Sequence, residues 1–249
     1  MEHSISIIIP AYNDQATIEK VVSEAIEVAS GLAADYEVLV VNDASRDETG
    51  VLLDRLAQAD KAIRVIHHEA NRGYGATIAE LYMEAKGDLV FSTPGDRQLR
   101  PKELHKMLPA LNHCDIVIGR RKERQDPFTR KVYSFIYNSL IRILYGLRVH
   151  DINSIKLTKR EVLKHIHFEA TSAFTDAELC IRATRLGYRV GEVNVEHLAR
   201  AFGEASGGKF SVMWDTFVDS VRMWKRLRDV TTDGENSMDE DGDASGLGE

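Results

Sequence analysis

Leu89-Val90-Phe91-Ser92-Thr93-Pro94-Gly95-Asp96-Arg97-Gln98 runs from an apolar strand into a turn that carries a carboxylate and an amide. Asp96 stands just past the strand's C-terminal end, which is where open α/β sheets bind ligands. Asp96 and Gln98 are two residues apart. In extended backbone such a pair points to one side and offers oxygens to a single divalent cation. An ordinary strand-to-helix loop, with Pro and Gly for the turn and Asp for local capping, accounts for the same residues. The flanking chain decides between these readings.

Upstream, Ile5 to Ile9 is a β-branched run ended by Pro10, the pattern of a strand buried on both faces, and Thr17 to Ser30 follows with apolar residues at helical spacing. The unit recurs. Tyr36 to Val41 reads as a strand followed by a polar turn and the helix Glu48 to Ala59. Ile63 to His67 precedes Asn71-Arg72-Gly73-Tyr74-Gly75 and the helix Ala76 to Ala85. Asp88 to Phe91 is the fourth strand, Pro101 opens the next helix, and Asp115 to Ile118 is the fifth strand. Strands alternating with helices through short links predict an α/β fold with a doubly wound, mostly parallel sheet flanked by helices.

Beyond Gly119 the texture changes. Arg120, Arg121, Lys122, Arg124, Arg130 and Lys131 crowd together, and Phe128 to Leu147 then repeats apolar residues at helical spacing. Strands are expected at Ile155 to Leu157 and Arg189 to Val195, and helices at Arg160 to His165, Thr175 to Leu186 and Phe210 to Leu227. The last helix carries Trp214, Phe217 and Trp224 on one stripe and basic residues near its end. The division expected is residues 1–119 as a ligand-binding half, 120–229 as a second half of the same domain, and 230–249 as an acidic, disordered tail.

The net charge of -7 comes from that tail. Seven of the 39 acids lie beyond Thr231 with no base among them, and the rest balance the 32 lysines and arginines. A neutral body predicts no nucleic-acid partner. Cys114 and Cys180, the only cysteines, sit in apolar contexts without metal-ligand spacing, which speaks against a disulfide or zinc site and for a reducing cytoplasm. A strand almost at Met1 leaves no room for a leader, and no apolar run approaches the roughly 20 residues of a membrane span. Work at a membrane is then expected from its surface.

The loops after the first five strands carry Tyr12 and Asp14, Asp43, Arg72, Asp96 with Gln98, and Arg121, all at one end of the sheet. Acids and bases on one rim suit an anionic ligand held partly by metal and partly by arginine. A nucleoside diphosphate meets that description, with Asp14 and Asp43 accepting hydrogen bonds from ribose or base and Asp96 reaching the pyrophosphate through Mg²⁺ or Mn²⁺. For Asp43, turn-making and helix capping is an equal alternative. Gly73-Tyr74-Gly75-Ala76-Thr77-Ile78 lacks the last glycine of the dinucleotide fingerprint and follows the wrong strand, and no Walker sequence occurs. Dehydrogenase and P-loop ATPase are excluded.

Ile9-Pro10-Ala11-Tyr12-Asn13-Asp14, Val41-Asn42-Asp43-Ala44-Ser45-Arg46-Asp47-Glu48-Thr49, Asn71-Arg72-Gly73-Tyr74-Gly75 and Asp151-Ile152-Asn153-Ser154-Ile155-Lys156-Leu157 resemble, in order, the blocks of inverting family 2 glycosyltransferases of GT-A fold. The similarity is greatest to dolichyl- and polyprenyl-phosphate sugar synthases and runs from about Ser4 to Arg228. It implies transfer of a sugar from a UDP- or GDP-sugar, with Mg²⁺ or Mn²⁺, to a polyprenyl phosphate. A soluble hydroxyl acceptor, or a non-catalytic nucleotide-binding scaffold, are the alternatives.

Carried across by the resemblance, Pro10, Tyr12, Asp14, Asp43 and Arg72 surround the nucleotide, with Asp14 where the family has Glu. Pro94-Gly95-Asp96-Arg97-Gln98 falls on the family's Asp-Ala-Asp-x-Gln metal motif, which makes Gly95 and Asp96 donor-site residues and Asp96 and Gln98 metal ligands. Pro94 has lost the third ligand position. Arg121 matches an Arg beside the donor phosphates, Arg200 the Arg of a late phosphate-holding segment, and Lys209 a shifted Lys of that segment. Asp96, Glu178, Arg121 and Arg200 are the expected catalytic set.

In Phe174-Thr175-Asp176-Ala177-Glu178 the resemblance puts the acids near the acceptor, with Glu178 as general base if the acceptor is a hydroxyl. An ionised phosphate acceptor needs no base. The basic segment Arg120 to Lys131 and the two amphipathic helices admit two readings of equal weight: contact with an anionic bilayer at its cytoplasmic face or with a membrane partner, and packing on the sheet or in a homo-oligomer. Many relatives carry C-terminal spans where this chain has its acidic tail.

Overall fold

β1 (Ile5–Ala11) has Ile5, Ile7, Ile8 and Ile9 fully buried because the strand lies inside a sheet covered on both faces. The structure, a computed structural model, describes residues 3–122, 128–199 and 214–227, without the side chains of 128–130. β2 (Tyr36–Asn42), β3 (Ile63–His67), β4 (Leu89–Ser92), β5 (Ile116–Lys122), β6 (Lys156–Lys159) and β7 (Val190–Glu196) complete a seven-stranded sheet of order β3-β2-β1-β4-β6-β5-β7. All neighbours run parallel except β6, which is antiparallel to both β4 and β5. The expected mostly parallel, doubly wound α/β sheet is therefore present.

Helices α1 (Ile18–Leu32), α2 (Thr49–Ala59) and α4 (Leu104–Met107) close one face, where Val21, Val22, Leu53, Leu104 and Met107 pack on Ile7, Ile9 and Phe91. Helices α3 (Tyr74–Glu84), α5 (Phe128–Tyr145), α6 (Arg160–Leu163) and α7 (Thr175–Arg185) close the other through Ile78, Leu81, Ile141, Val162 and Phe174. A further helix, α8, covers residues 214–227. Each fully buried Leu, Ile or Phe contributes roughly 1.5–3 kcal/mol by leaving water, so the two faces are the main source of stability.

Two elements differ from the sequence reading. The helix opened by Pro101 is a single α turn between two 3₁₀ turns, Pro101–Glu103 and Leu108–Asn112. Pro109 has no N–H to give to the turn before it, which stops the α pattern there. Helix α3 starts at Tyr74, two residues early, because Gly73 at φ 83° makes the turn into it and Gly75 tolerates close approach of the 171–172 backbone. The acidic tail lies outside the described residues.

The strand order reverses at β1, whose neighbours are β2 on one side and β4 on the other. This switch point opens a crevice at the C-terminal strand ends, between the loops that follow β1 and β4. Because β6 is antiparallel, its first residue also lies there: Lys156 is in register with Ser92 of β4 and Ile118 of β5.

Candidate active site

Each of the three loops that leave β1, β2 and β4 contains one non-glycine residue in the left-handed region: Asn13 at φ 55°, Ala44 at φ 54° and Arg97 at φ 63°. Such conformations persist only where surrounding bonds fix them. Here Asn13 N donates to Ser45 Oγ at 3.0 Å, Arg46 N to Asn13 Oδ1 at 2.8 Å, and Asp14 N to Thr49 Oγ1 at 2.9 Å. Thr17 Oγ1 spans the switch point to the Gly95 carbonyl at 2.7 Å. The loops thus form one platform.

Pro10 and Tyr12 flank the start of the first loop; Tyr12 is exposed, and its amide donates to Asp14 Oδ2 at 3.0 Å. That Asp14 oxygen lies 2.7 Å from where a β-carbon on Gly95 would stand, so the motif around Asp96 closes directly over Asp14. Asp96 Oδ1 accepts from Gln98 N at 3.0 Å, and Gln98 O accepts from Leu198 N at 2.9 Å.

Two oxygen-bearing side chains of this loop, Asp96 and Gln98, fit a hard cation. Mg²⁺ is commonly held by one or two carboxylates and completes its shell with substrate phosphates and water. Pro94 adds nothing to that set, and among the described residues no group of three or more His, Cys, Asp or Glu side chains assembles a metal cage.

Asp43 is buried, and its carboxylate organises the next loop. Oδ1 accepts from Arg72 N at 2.7 Å and lies 2.7 Å from His68 Nδ1, while Oδ2 accepts from Gly73 N at 2.9 Å. It does not cap α2; Asp47 Oδ1 receives Thr49 N instead. The capping alternative for Asp43 is thus replaced by loop-fastening. His68 Nε2 lies 2.8 Å from Glu80 Oε2, which also accepts from Arg72 Nη1 at 3.2 Å. Sequence reasoning missed His68 and Glu80; the signal available was a histidine beyond a strand end and an acid on the first turns of α3.

Tyr74 sends its hydroxyl to Asp176 Oδ2 at 2.8 Å, and Asp176 Oδ1 accepts from Lys156 Nζ at 2.6 Å. Lys156 and Asp176 are fully withdrawn from water. The Tyr74 ring is exposed, but its hydroxyl end lies against buried Asp176; desolvation of that end and then the Asp176 charge hold the hydroxyl well above the ordinary tyrosine range, opposed by the nearby Arg121.

Two expected site residues are paired with groups of the protein itself. Arg121 pairs with Asp151, with Nε 2.7 Å from Oδ2 and Nη2 2.6 Å from Oδ1 in a buried bidentate arrangement that ties β5 to the segment before β6. Glu178 is also buried, and its two oxygens accept from Glu169 N, Ala170 N and Arg182 Nε at 2.8–3.1 Å, which fastens the 169–170 turn to α7. Arg200 and Lys209 lie outside the described residues.

The crevice at the switch point is thus rimmed by carboxylates and fixed backbone turns, with Asp96 and Gln98 on the loop that leaves β4. The chain is 29% identical over 209 residues to the undecaprenyl-phosphate 4-deoxy-4-formamido-L-arabinose transferase of Edwardsiella ictaluri, covering 82% of this chain and 63% of that protein. It is 30% identical over 216 residues to the transferase of the same name from Aeromonas hydrophila, with the same coverage.

This chain therefore spans less than two thirds of the length of those relatives. Among solved structures, glucosyl-3-phosphoglycerate synthase from Mycobacterium tuberculosis with phosphoglyceric acid superposes at a TM-score of 0.71 and 20% identity, over 89% of this chain and 80% of that one. The same enzyme with Mn²⁺, uridine diphosphate and phosphoglyceric acid gives 0.71 at 19%, over 90% and 78%. At this identity the likeness establishes the shared GT-A architecture. Residues 6–167 match glycosyl transferase family 2, and the chain belongs to that family.

Proposed function

We propose that the chain moves a sugar from a nucleoside diphosphate sugar to a polyprenyl phosphate, inverting the anomeric configuration. The donor lies on the platform of the β1, β2 and β4 loops, with Pro10, Tyr12, Asp14, Asp43, Arg72 and Gly95 around its nucleotide. Arg200 and Lys209 retain the phosphate contacts that the family resemblance gives them. Asp96 and Gln98 would hold a divalent cation, and that cation would supply positive charge where the diphosphate departs. An acceptor phosphate oxygen attacks the anomeric carbon from the opposite side, the bond to the diphosphate breaks, and its electron pair leaves with that diphosphate.

The observation that carries the phosphate acceptor is the state of the two acids near α7. Glu178 is engaged by the Glu169 and Ala170 amides and by Arg182, and Asp176 is shared by Lys156 and Tyr74. A hydroxyl acceptor calls for a general base, whereas an ionised phosphate does not. The names of the relatives point the same way.

No helix among the described residues is long and apolar enough to cross a membrane. Phe135, Ile136 and Ile143 of α5 and Trp214 and Phe217 of α8 are exposed, which supports contact with a bilayer surface. The test is nucleotide release from UDP- and GDP-sugars with undecaprenyl phosphate in detergent or vesicles, against 3-phosphoglycerate as a soluble acceptor. Release dependent on the polyprenyl phosphate is expected. Turnover with the soluble acceptor alone would overturn the reading.

A further inference from the structure

Arginines near the platform are mostly spoken for. Arg72 pairs with Glu80 at 3.2 Å, Arg100 with Glu24 at 3.0 Å, and Arg121 with Asp151 at 2.6 Å. Arg97 differs from them. Its Nε is buried without a hydrogen-bond partner, the only arginine nitrogen among the described residues in that condition. Its backbone stands at φ 63°, a conformation unfavourable for a long side chain.

That conformation is imposed from both sides: the Gly95 carbonyl is held by Thr17, and Gln98 is held by Asp96 and by Leu198. A guanidinium drawn partly out of water and left unpaired calls for an anion. Arg97 adjoins Asp96, which the proposed function sets beside the donor's diphosphate. Pro94 leaves this loop with one carboxylate and one guanidinium, so the loop itself has no net negative charge to repel a diphosphate.

We propose that Arg97 binds the diphosphate of the donor and supplies part of the charge neutralisation that a divalent cation otherwise provides. This rests on the nucleotide-sugar reading above, and adds a specific consequence: nucleoside diphosphate binding survives removal of the cation. A planar guanidinium offers paired donors to phosphate oxygens, which suits the role.

The experiment is calorimetric titration of the full chain with UDP, GDP, dTDP and CDP and their nucleosides, in Mn²⁺ and in EDTA. The wild-type chain is expected to keep its preferred diphosphate within about tenfold in EDTA. Arg97→Gly fits the left-handed backbone, so it should melt no lower than wild type, yet lose tenfold or more in diphosphate affinity in EDTA with nucleoside affinity unchanged. Mn²⁺ should narrow that loss, and Arg97→Lys should recover part of it.

Equal diphosphate binding by wild type and Arg97→Gly, or an equal loss for the bare nucleoside, overturns the role of Arg97 alone. Failure of the folded wild-type chain to bind any of the four diphosphates, with or without Mn²⁺, overturns the nucleotide-sugar reading itself.

Discussion

Lys156 Nζ lies 2.6 Å from Asp176 Oδ1, with both side chains inside the protein, and this pair joins β6 to the N-terminus of α7 behind the crevice. Removing one partner strands the other as a buried charge, at a cost of about 3–5 kcal/mol. Lys156→Met and Asp176→Asn should each lower the urea midpoint strongly. The double variant should lose less than the two single losses combined, because it leaves no orphan charge. Additive losses in that cycle would show that the two side chains are energetically independent.

Glu178 holds the 169–170 turn. Glu178→Ala leaves two backbone N–H groups and Arg182 short of an acceptor, at about 1–3 kcal/mol for each unsatisfied buried group. The expected outcome is a clear drop in thermal midpoint with the turnover of the remaining folded protein changed by less than about threefold. A general base would instead cost on the order of 10²–10⁴ in turnover.

Gly95 faces Asp14 at a distance no β-carbon tolerates. Gly95→Ala must push the Asp14 carboxylate away from the Tyr12 amide, and with it the nucleotide platform. Nucleoside diphosphate affinity should fall tenfold or more while the urea midpoint moves little, since the displaced group is a side chain at the rim. Adding Asp14→Ala to Gly95→Ala should abolish any further effect of the extra methyl group on binding.

Tyr74 keeps its proton in the native state to a pH well above that of the unfolded chain, by desolvation of its hydroxyl end first and the Asp176 charge second. Unfolded tyrosine titrates near about pH 10. The native state therefore binds more protons above that pH, and stability falls as pH rises through the range between the two values. Tyr74→Phe should have a lower urea midpoint than wild type at pH 8, from loss of the Asp176 hydrogen bond, and a shallower decline between pH 10 and 11. A decline as steep as that of wild type would place the alkaline sensitivity in other groups.

The strands were legible because Ile5–Ile9 and Tyr36–Val41 are apolar on both faces, a pattern produced only by burial from two sides. Asp14, Asp43 and Asp96 were legible as rim residues because each follows such a run. What the sequence could not show was pairing across long separations. Arg121 finds Asp151 thirty positions away, and Glu178 folds back on the turn before its own helix. A charge in a string of letters carries no sign of whether its partner is a ligand or another side chain. The direction of β6 was equally hidden, since four residues carry no directional pattern.

The reversed course of β6 also dictates an order of assembly. β1 to β4 can zip together as soon as residue 92 is available, but β5 has no place beside β4 until residues 156–159 arrive to lie between them. During synthesis the open edge of β4 waits while more than sixty further residues are made. An unpaired apolar edge is a template for the wrong strand, so chaperone dependence and aggregation of truncated chains should concentrate in that interval.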